Sequence, residues 1–328
     1  YAGIGNTTGC CNNMIGRGAG QCATVTGQHN NFLGTYAGKC ATGSGNNNNF
    51  IGCYAGKLNT TGFVNNFIGY RSGCSNTTGH LNVFIGRCVG AANTTGSNNI
   101  FLGSDAGRGN TSGGCNIFLG TYAGKCASGA SCYNNFIGIN AGLNNTTGDQ
   151  NNFFGFYAGC SNTTGCYNNF IGQAAGIGNT TGCCNNMIGR GAGRCATVTG
   201  SNNNFLGTFA GKCASGNGGC NNFIGICAGL NNTTGDLNNF FGYRSGHCNT
   251  TGSNNNFIGK CAGGNNTTGS RNVFIGDDVG QKNTTGSYNN FFGYLSGRCN
   301  TTGNLNVFIG RCVGAANTTG SNNIFLGS

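Results

Sequence analysis

The sequence predicts an all-β chain: a parallel β-solenoid (β-roll or β-helix) of 19 coils of 17–18 residues. Three observations predict it. A short unit ending in Phe-Ile-Gly, or a close variant, recurs from one end to the other. Gly makes up 67 of 328 residues and falls at the same places in each unit. Pro is absent, as expected of a backbone in which nearly every N–H serves a ladder.

The units fill the chain without remainder, 14 of 17 residues and five of 18. Their consensus is x-Tyr-Ala-Gly-x-x-Asn-Thr-Thr-Gly-x-x-Asn-Asn-Phe-Ile-Gly, numbered here as positions 1 to 17. Gly occupies positions 4 and 17 in all 19 units. It closes the middle corner at position 10 in 18, with Ser131 the exception. Fixed Gly marks positive φ or close backbone approach. The segments between are too short for helices and suit strands and corners. Coils about 4.8 Å apart would make a rod of roughly 90 Å. Residues 1–328 are expected to form one continuous array with no internal boundary, a segment or axially stacking subunit of a longer fibre.

Position 15 is Phe in 17 coils and Met14 or Met187 in the others. The row Phe32, Phe50, Phe67, Phe84, Phe101, Phe118, Phe136 and onward is expected to form the core. Neighbouring strand residues point to opposite faces. Position 16 is always Ile, Leu or Phe, so either a corner turns both rows inward or one row faces outward. An outward apolar stripe would need a partner chain. Asn recurs at position 13 and mostly at 14, where stacked amides can hydrogen-bond along the array.

The 18-residue coils begin at Arg17, Thr35, Thr121, Arg190 and Thr208. All replace Asn-Thr-Thr-Gly with a Cys-Ala corner, at Cys22, Cys40, Cys126, Cys195 and Cys213. The chain has 22 Cys, clustered near positions 1–2, 5–6 and 11–12. Their spacing suggests intercoil disulfides across the position-4 turn: Cys40 with Cys53, Cys74 with Cys88, Cys213 with Cys227, Cys248 with Cys261, and Cys299 with Cys312. Cys115 with Cys132 and Cys166 with Cys183 form a second group. Cys11 with Cys22 and Cys184 with Cys195 share a local context, while Cys10, Cys126, Cys160 and Cys220 gain no partner. Such a Cys count suits an oxidising, extracellular setting.

Each 17-residue coil carries an N-glycosylation acceptor pattern at its middle corner. The acceptors are Asn6, Asn59, Asn76, Asn93, Asn110, Asn145, Asn162, Asn179, Asn232, Asn249, Asn266, Asn283, Asn300 and Asn317. Asn, Thr and Gly are also what a tight corner favours. Glycan attachment and corner packing therefore remain alternatives.

The formal charge is +11, and 14 of 16 basic residues fall at positions 1, 2 or 5. They read as a solvated edge, or as a stripe for an acidic polysaccharide or cell surface. A dense basic cluster for nucleic acid is missing. So are an apolar run for membrane insertion, a catalytic constellation and a metal-ligand set. No enzyme activity and no cofactor is expected.

The units Asn82-Val83-Phe84-Ile85-Gly86 and Asn116-Ile117-Phe118-Leu119-Gly120, with the Ala-Gly or near variant that follows, carry a resemblance. They resemble the head repeat of trimeric autotransporter adhesins, a left-handed parallel β-roll. They also resemble Asn/Gly-rich repeats of tail-fibre-like surface fibre proteins. The coil here is longer, carries Phe in its core and is rich in Cys. The resemblance implies a surface fibre with trimeric association.

Long near-copies add to this. Residues 81–104 repeat as 305–328, and 2–27 as 175–200 with one change. Selection on such a chain acts on the coil. Ser328 stands in register to be followed by Tyr1, and no capping coil or signal segment is evident, so axial stacking of the chain on itself is expected. The expected function is that of a secreted structural protein in a disulfide-stapled fibre. The alternative is the shaft of an adhesin or tail fibre that binds a cell surface or glycan.

Overall fold

A computed structural model describes residues 1–22, 25–195, 199–215 and 218–327. Ser328 lies outside the described residues, as do Ala23 and Ala196 of two Cys-Ala corners. The structure is all-β, with 19 three-residue strands among the described residues, each at positions 14–16. The chain divides into two compact units, Tyr1–Cys166 and Tyr167–Ser328.

The first unit holds β1 (Asn13–Ile15) to β9 (Asn152–Phe154). Each strand pairs in parallel with the next, one coil on, and like positions face each other. The second holds β10 (Asn169–Ile171) to β19 (Ile324–Leu326), paired in the same way. Each unit is a parallel β-solenoid.

One coil, residues 70–86, shows how the sequence closes the turn. Gly86 at position 17 has φ 134°, where a Cβ would meet the Gly103 backbone of the next coil. Gly73 at position 4 has φ 54° and lies against the Phe67 ring, 2.6 Å from an added Cβ. Gly79 at position 10 differs, because its φ is outside the left-handed region. It must be Gly because an added Cβ would meet Gly96 O and Asn76 Oδ1, both at 2.4 Å.

Two further left-handed positions carry side chains. Arg71 at position 2 has φ 55° and Leu81 at position 12 has φ 57°, and this pattern recurs through both units. Each costs about 1–2 kcal/mol in isolation. The stack imposes them: Arg71 N–H donates to Cys53 O at 2.9 Å, and Leu81 N–H to Phe63 O at 3.0 Å.

The Phe row points inward and is fully buried in both units, save Phe325 in the last strand. In the first unit the rings from Phe32 to Phe153 stack in parallel, centroids 4.6–5.1 Å apart and planes within 9°. From Phe205 to Phe325 the separations are 4.7–4.9 Å. These spacings lie within the favourable range for aromatic pairs. Burying each ring contributes about 1.5–3 kcal/mol. Met187 is equally buried between Phe170 and Phe205 in the ladder. Position 16 faces the other way and stays partly exposed, as at Ile85.

Phe84→Ala should cost about 3–5 kcal/mol through the cavity it opens. Gly79→Ala should be similarly damaging, although its φ lies outside the left-handed region. Urea denaturation of both variants checks this, and a neutral Gly79→Ala would contradict the close-approach account.

Candidate functional site

The position-13 amides act as part of the backbone ladder. Asn82 Nδ2 donates to Gly96 O at 2.9 Å in the next coil. Asn65 Oδ1 accepts the Asn82 backbone N–H at 3.1 Å, and Asn82 Oδ1 accepts that of Asn99 at 3.0 Å. A side-chain carbonyl thus takes the place of a main-chain one at the corner before each strand.

The sequon row forms a second buried ladder. Asn93 Nδ2 donates to Gly96 O at 3.0 Å and to Asn76 Oδ1 at 2.7 Å. Asn93 Oδ1 accepts from Asn110 Nδ2 at 2.9 Å. Twelve of the 14 acceptor asparagines are buried: Asn59, Asn76, Asn93, Asn110, Asn145, Asn162, Asn179, Asn232, Asn249, Asn266, Asn283 and Asn300. Glycan attachment on these nitrogens is incompatible with their packing, and that reading is corrected to a structural one. Asn6 is exposed and Asn317 half-buried, and both still bond to their own corner Gly.

The five long coils lack this Asn, and the structure shows the consequence at the solitary one. Ala127 stands where the amide would be, and Asn110 Oδ1 in the coil before is buried without a partner. On the other side Ser131 repairs the ladder. Its hydroxyl accepts from Asn145 Nδ2 at 3.1 Å and donates to Gly148 O at 2.9 Å. This explains the one departure from Gly at the middle corner.

No disulfide joins any described cysteines. The register corrects the pairings drawn across the position-4 turn. Cys40 N–H bonds to Lys57 O, whereas Cys53 lies in register with Thr35, through the Tyr54 N–H bond to Thr35 O. Cys74 Sγ faces Ala91 O at 3.4 Å, while Cys88 N–H bonds to Tyr70 O. Cys213 N–H bonds to Leu230 O and Cys227 N–H to Thr208 O. Cys248 and Cys299 bond to Gly264 O and Ala315 O, and Cys261 and Cys312 to Tyr243 O and Tyr294 O. Positions 1–2 and 5–6 therefore follow separate ladders. Cys132 sits over Gly114 rather than Cys115, its Sγ 3.3 Å from Gly114 N. Cys166 Sγ accepts from Asp149 N–H at 3.3 Å, and Cys183 N–H donates to Ser201 Oγ at 3.0 Å. What stacks instead is Cys22 with Cys40 and Cys195 with Cys213, where Cys195 Sγ lies 3.4 Å from Cys213 Sγ.

The basic edge is organised by aromatic faces. Lys39 lies 4.8 Å from the Tyr36 ring centroid, Lys57 5.5 Å from Tyr54, Lys125 4.7 Å from Tyr122 and Lys212 5.1 Å from Phe209. Position 5 thus covers position 2 of its own coil. Arg17 and Arg190 cover the same rings from the coil before. A groove of about 340 Å³ opens on this edge, lined by Tyr54, Lys57, Tyr70 and Arg71 among others. The buried Asp105 pairs with Arg87 at 3.0 Å and Arg108 at 3.3 Å. Burial, then the charge of Arg244, holds His247 below the ordinary imidazole range. Among the described residues no cluster of three or more His, Cys, Asp or Glu could hold a metal, and no helix is long and apolar enough to cross a membrane.

No family model matches this sequence, and no curated protein is significantly similar to it.

Asn93→Asp should lower stability by about 1–3 kcal/mol, because a carboxylate cannot donate to Asn76 Oδ1 or Gly96 O. Intact mass of the native protein should not change on treatment with an N-glycosidase. A loss of several hexose masses would restore the glycan reading.

Proposed function

We propose that this chain is a structural protein of an extracellular fibre, built by axial extension of like coils. The observation that carries the reading is that most interior coils offer their neighbours the same rings, amides and backbone groups in the same register. The extracellular setting is supported by the Cys content. The likeness to adhesin-head repeats fits lateral or trimeric association through the partly exposed position-16 row.

Electron microscopy of native material should show long filaments of uniform width. Discrete particles no longer than a single chain would count against the fibre.

A second reading, the shaft of an adhesin or tail fibre, is favoured by the groove of Tyr54, Lys57, Tyr70 and Arg71. Cations beside aromatic faces suit an acidic glycan. The protein should then be retained on immobilised heparin but not on dextran, and a Lys57→Ala, Arg71→Ala double variant should elute at lower salt. Unchanged elution would remove this reading.

A further inference from the structure

We propose that Cys22–Cys40 and Cys195–Cys213 are two redox staples, thiol pairs that close to intercoil disulfides by exchange with a low-molecular-weight disulfide. Like positions stack on like within each unit, so a disulfide between neighbouring coils needs Cys at the same position in both. Among the described residues of each unit that happens once. Cys22 and Cys40 share position 6 of the consecutive coils beginning at Arg17 and Thr35. Cys195 and Cys213 do so in those beginning at Arg190 and Thr208.

The backbone holds both pairs alike. Cys22 N–H donates to Lys39 O at 2.7 Å and Cys195 N–H to Lys212 O at 2.6 Å, each carbonyl immediately preceding the partner cysteine. In-register neighbours about 4.8 Å apart fall inside the Cα separation of roughly 4.4–6.8 Å that a disulfide spans. The thiols already meet, 3.4 Å apart in the second pair. Burial, followed by the hydrogen bond to Cys22, raises the Cys40 thiol, and burial and Cys195 do the same to Cys213.

The position also has a reason. A Cys-Ala corner forfeits the buried Asn ladder, because Ala41 and Ala214 replace the amide. A disulfide beside it would tether the coils where the amides do not. The solitary long coil is a built-in control. Cys126 has Gly109 at its position in the coil before and Asn144 in the coil after, and there Ser131 supplies the missing bond.

The chemistry balances. One thiolate attacks the small disulfide RSSR, forming a mixed disulfide and releasing RS⁻. The second thiolate attacks the protein sulfur of that bond and releases the second RS⁻. The two protons lost by the cysteines end on two RSH, and the two electrons reduce RSSR. The staple does not depend on the fibre reading, since either can fail alone.

The full chain, reduced and then exposed to glutathione disulfide, is alkylated with iodoacetamide and digested with trypsin. Residues 18–39 should be found linked to 40–57, and 195–212 to 213–244. Cys126 should remain alkylatable or carry only glutathione. Cys40→Ser and Cys213→Ser should restore alkylation of Cys22 and Cys195. Both linked species should melt at higher temperature than the reduced chain. Full alkylation of Cys22 and Cys195 after oxidation would overturn the proposal. So would a Cys40–Cys53 bond, which lies inside the single peptide 40–57.

Discussion

Strict in-register stacking is the constraint on which the rest of the structure depends. A parallel ladder between successive coils fixes their spacing near 4.8 Å and leaves no freedom to slide. Every position then meets its own equivalent. A residue is acceptable only if it can pack against a copy of itself. Phe meets that condition by parallel ring stacking, as from Phe205 to Phe325. Asn meets it because an amide both donates and accepts, as Asn76, Asn93 and Asn110 do in turn. A stack of like charges fails it, and lysines such as Lys39 and Lys125 lie at the outer edge over aromatic faces.

The same constraint explains how irregular coils are tolerated. An 18-residue coil breaks the Asn ladder, and the break propagates one coil in each direction. Asn110 is left with an unpartnered carbonyl on one side. Ser131 mends the other with a hydroxyl that accepts from Asn145 in place of the amide. The coil lattice thus absorbs a local change by substituting one hydrogen-bonding side chain for another, without disturbing the strand register. It also holds left-handed backbone at side-chain-bearing positions such as Arg71 and Leu81, because neighbouring carbonyls fix those N–H groups.

Much of the fold was legible in the sequence because one unit is written 19 times. The burial of the Phe row follows from opposite-facing strand neighbours once a corner is placed. The candidate sites were less legible. The sequons matched a modification pattern, but a pattern does not say which way Asn93 Nδ2 points. Cys40 and Cys53, like Cys74 and Cys88, flank one turn. Flanking a turn does not bring side chains together when each follows its own ladder. Cys22 over Cys40 was visible as a shared position, and register was the signal that would have found it.

The sequence by itself determined the period, the coil boundaries, the Gly corners and the identity of the stacking residues, because each is a local property repeated in full. Only the tertiary structure decided what each repeated group faces. It turned the position-7 amide inward, assigned Gly79 to close approach rather than positive φ, and set like cysteine over like. The physical reason is that these outcomes arise between coils. A coil's own sequence specifies its turns, whereas the direction of a side chain and its partner are settled only when a second coil is laid on the first.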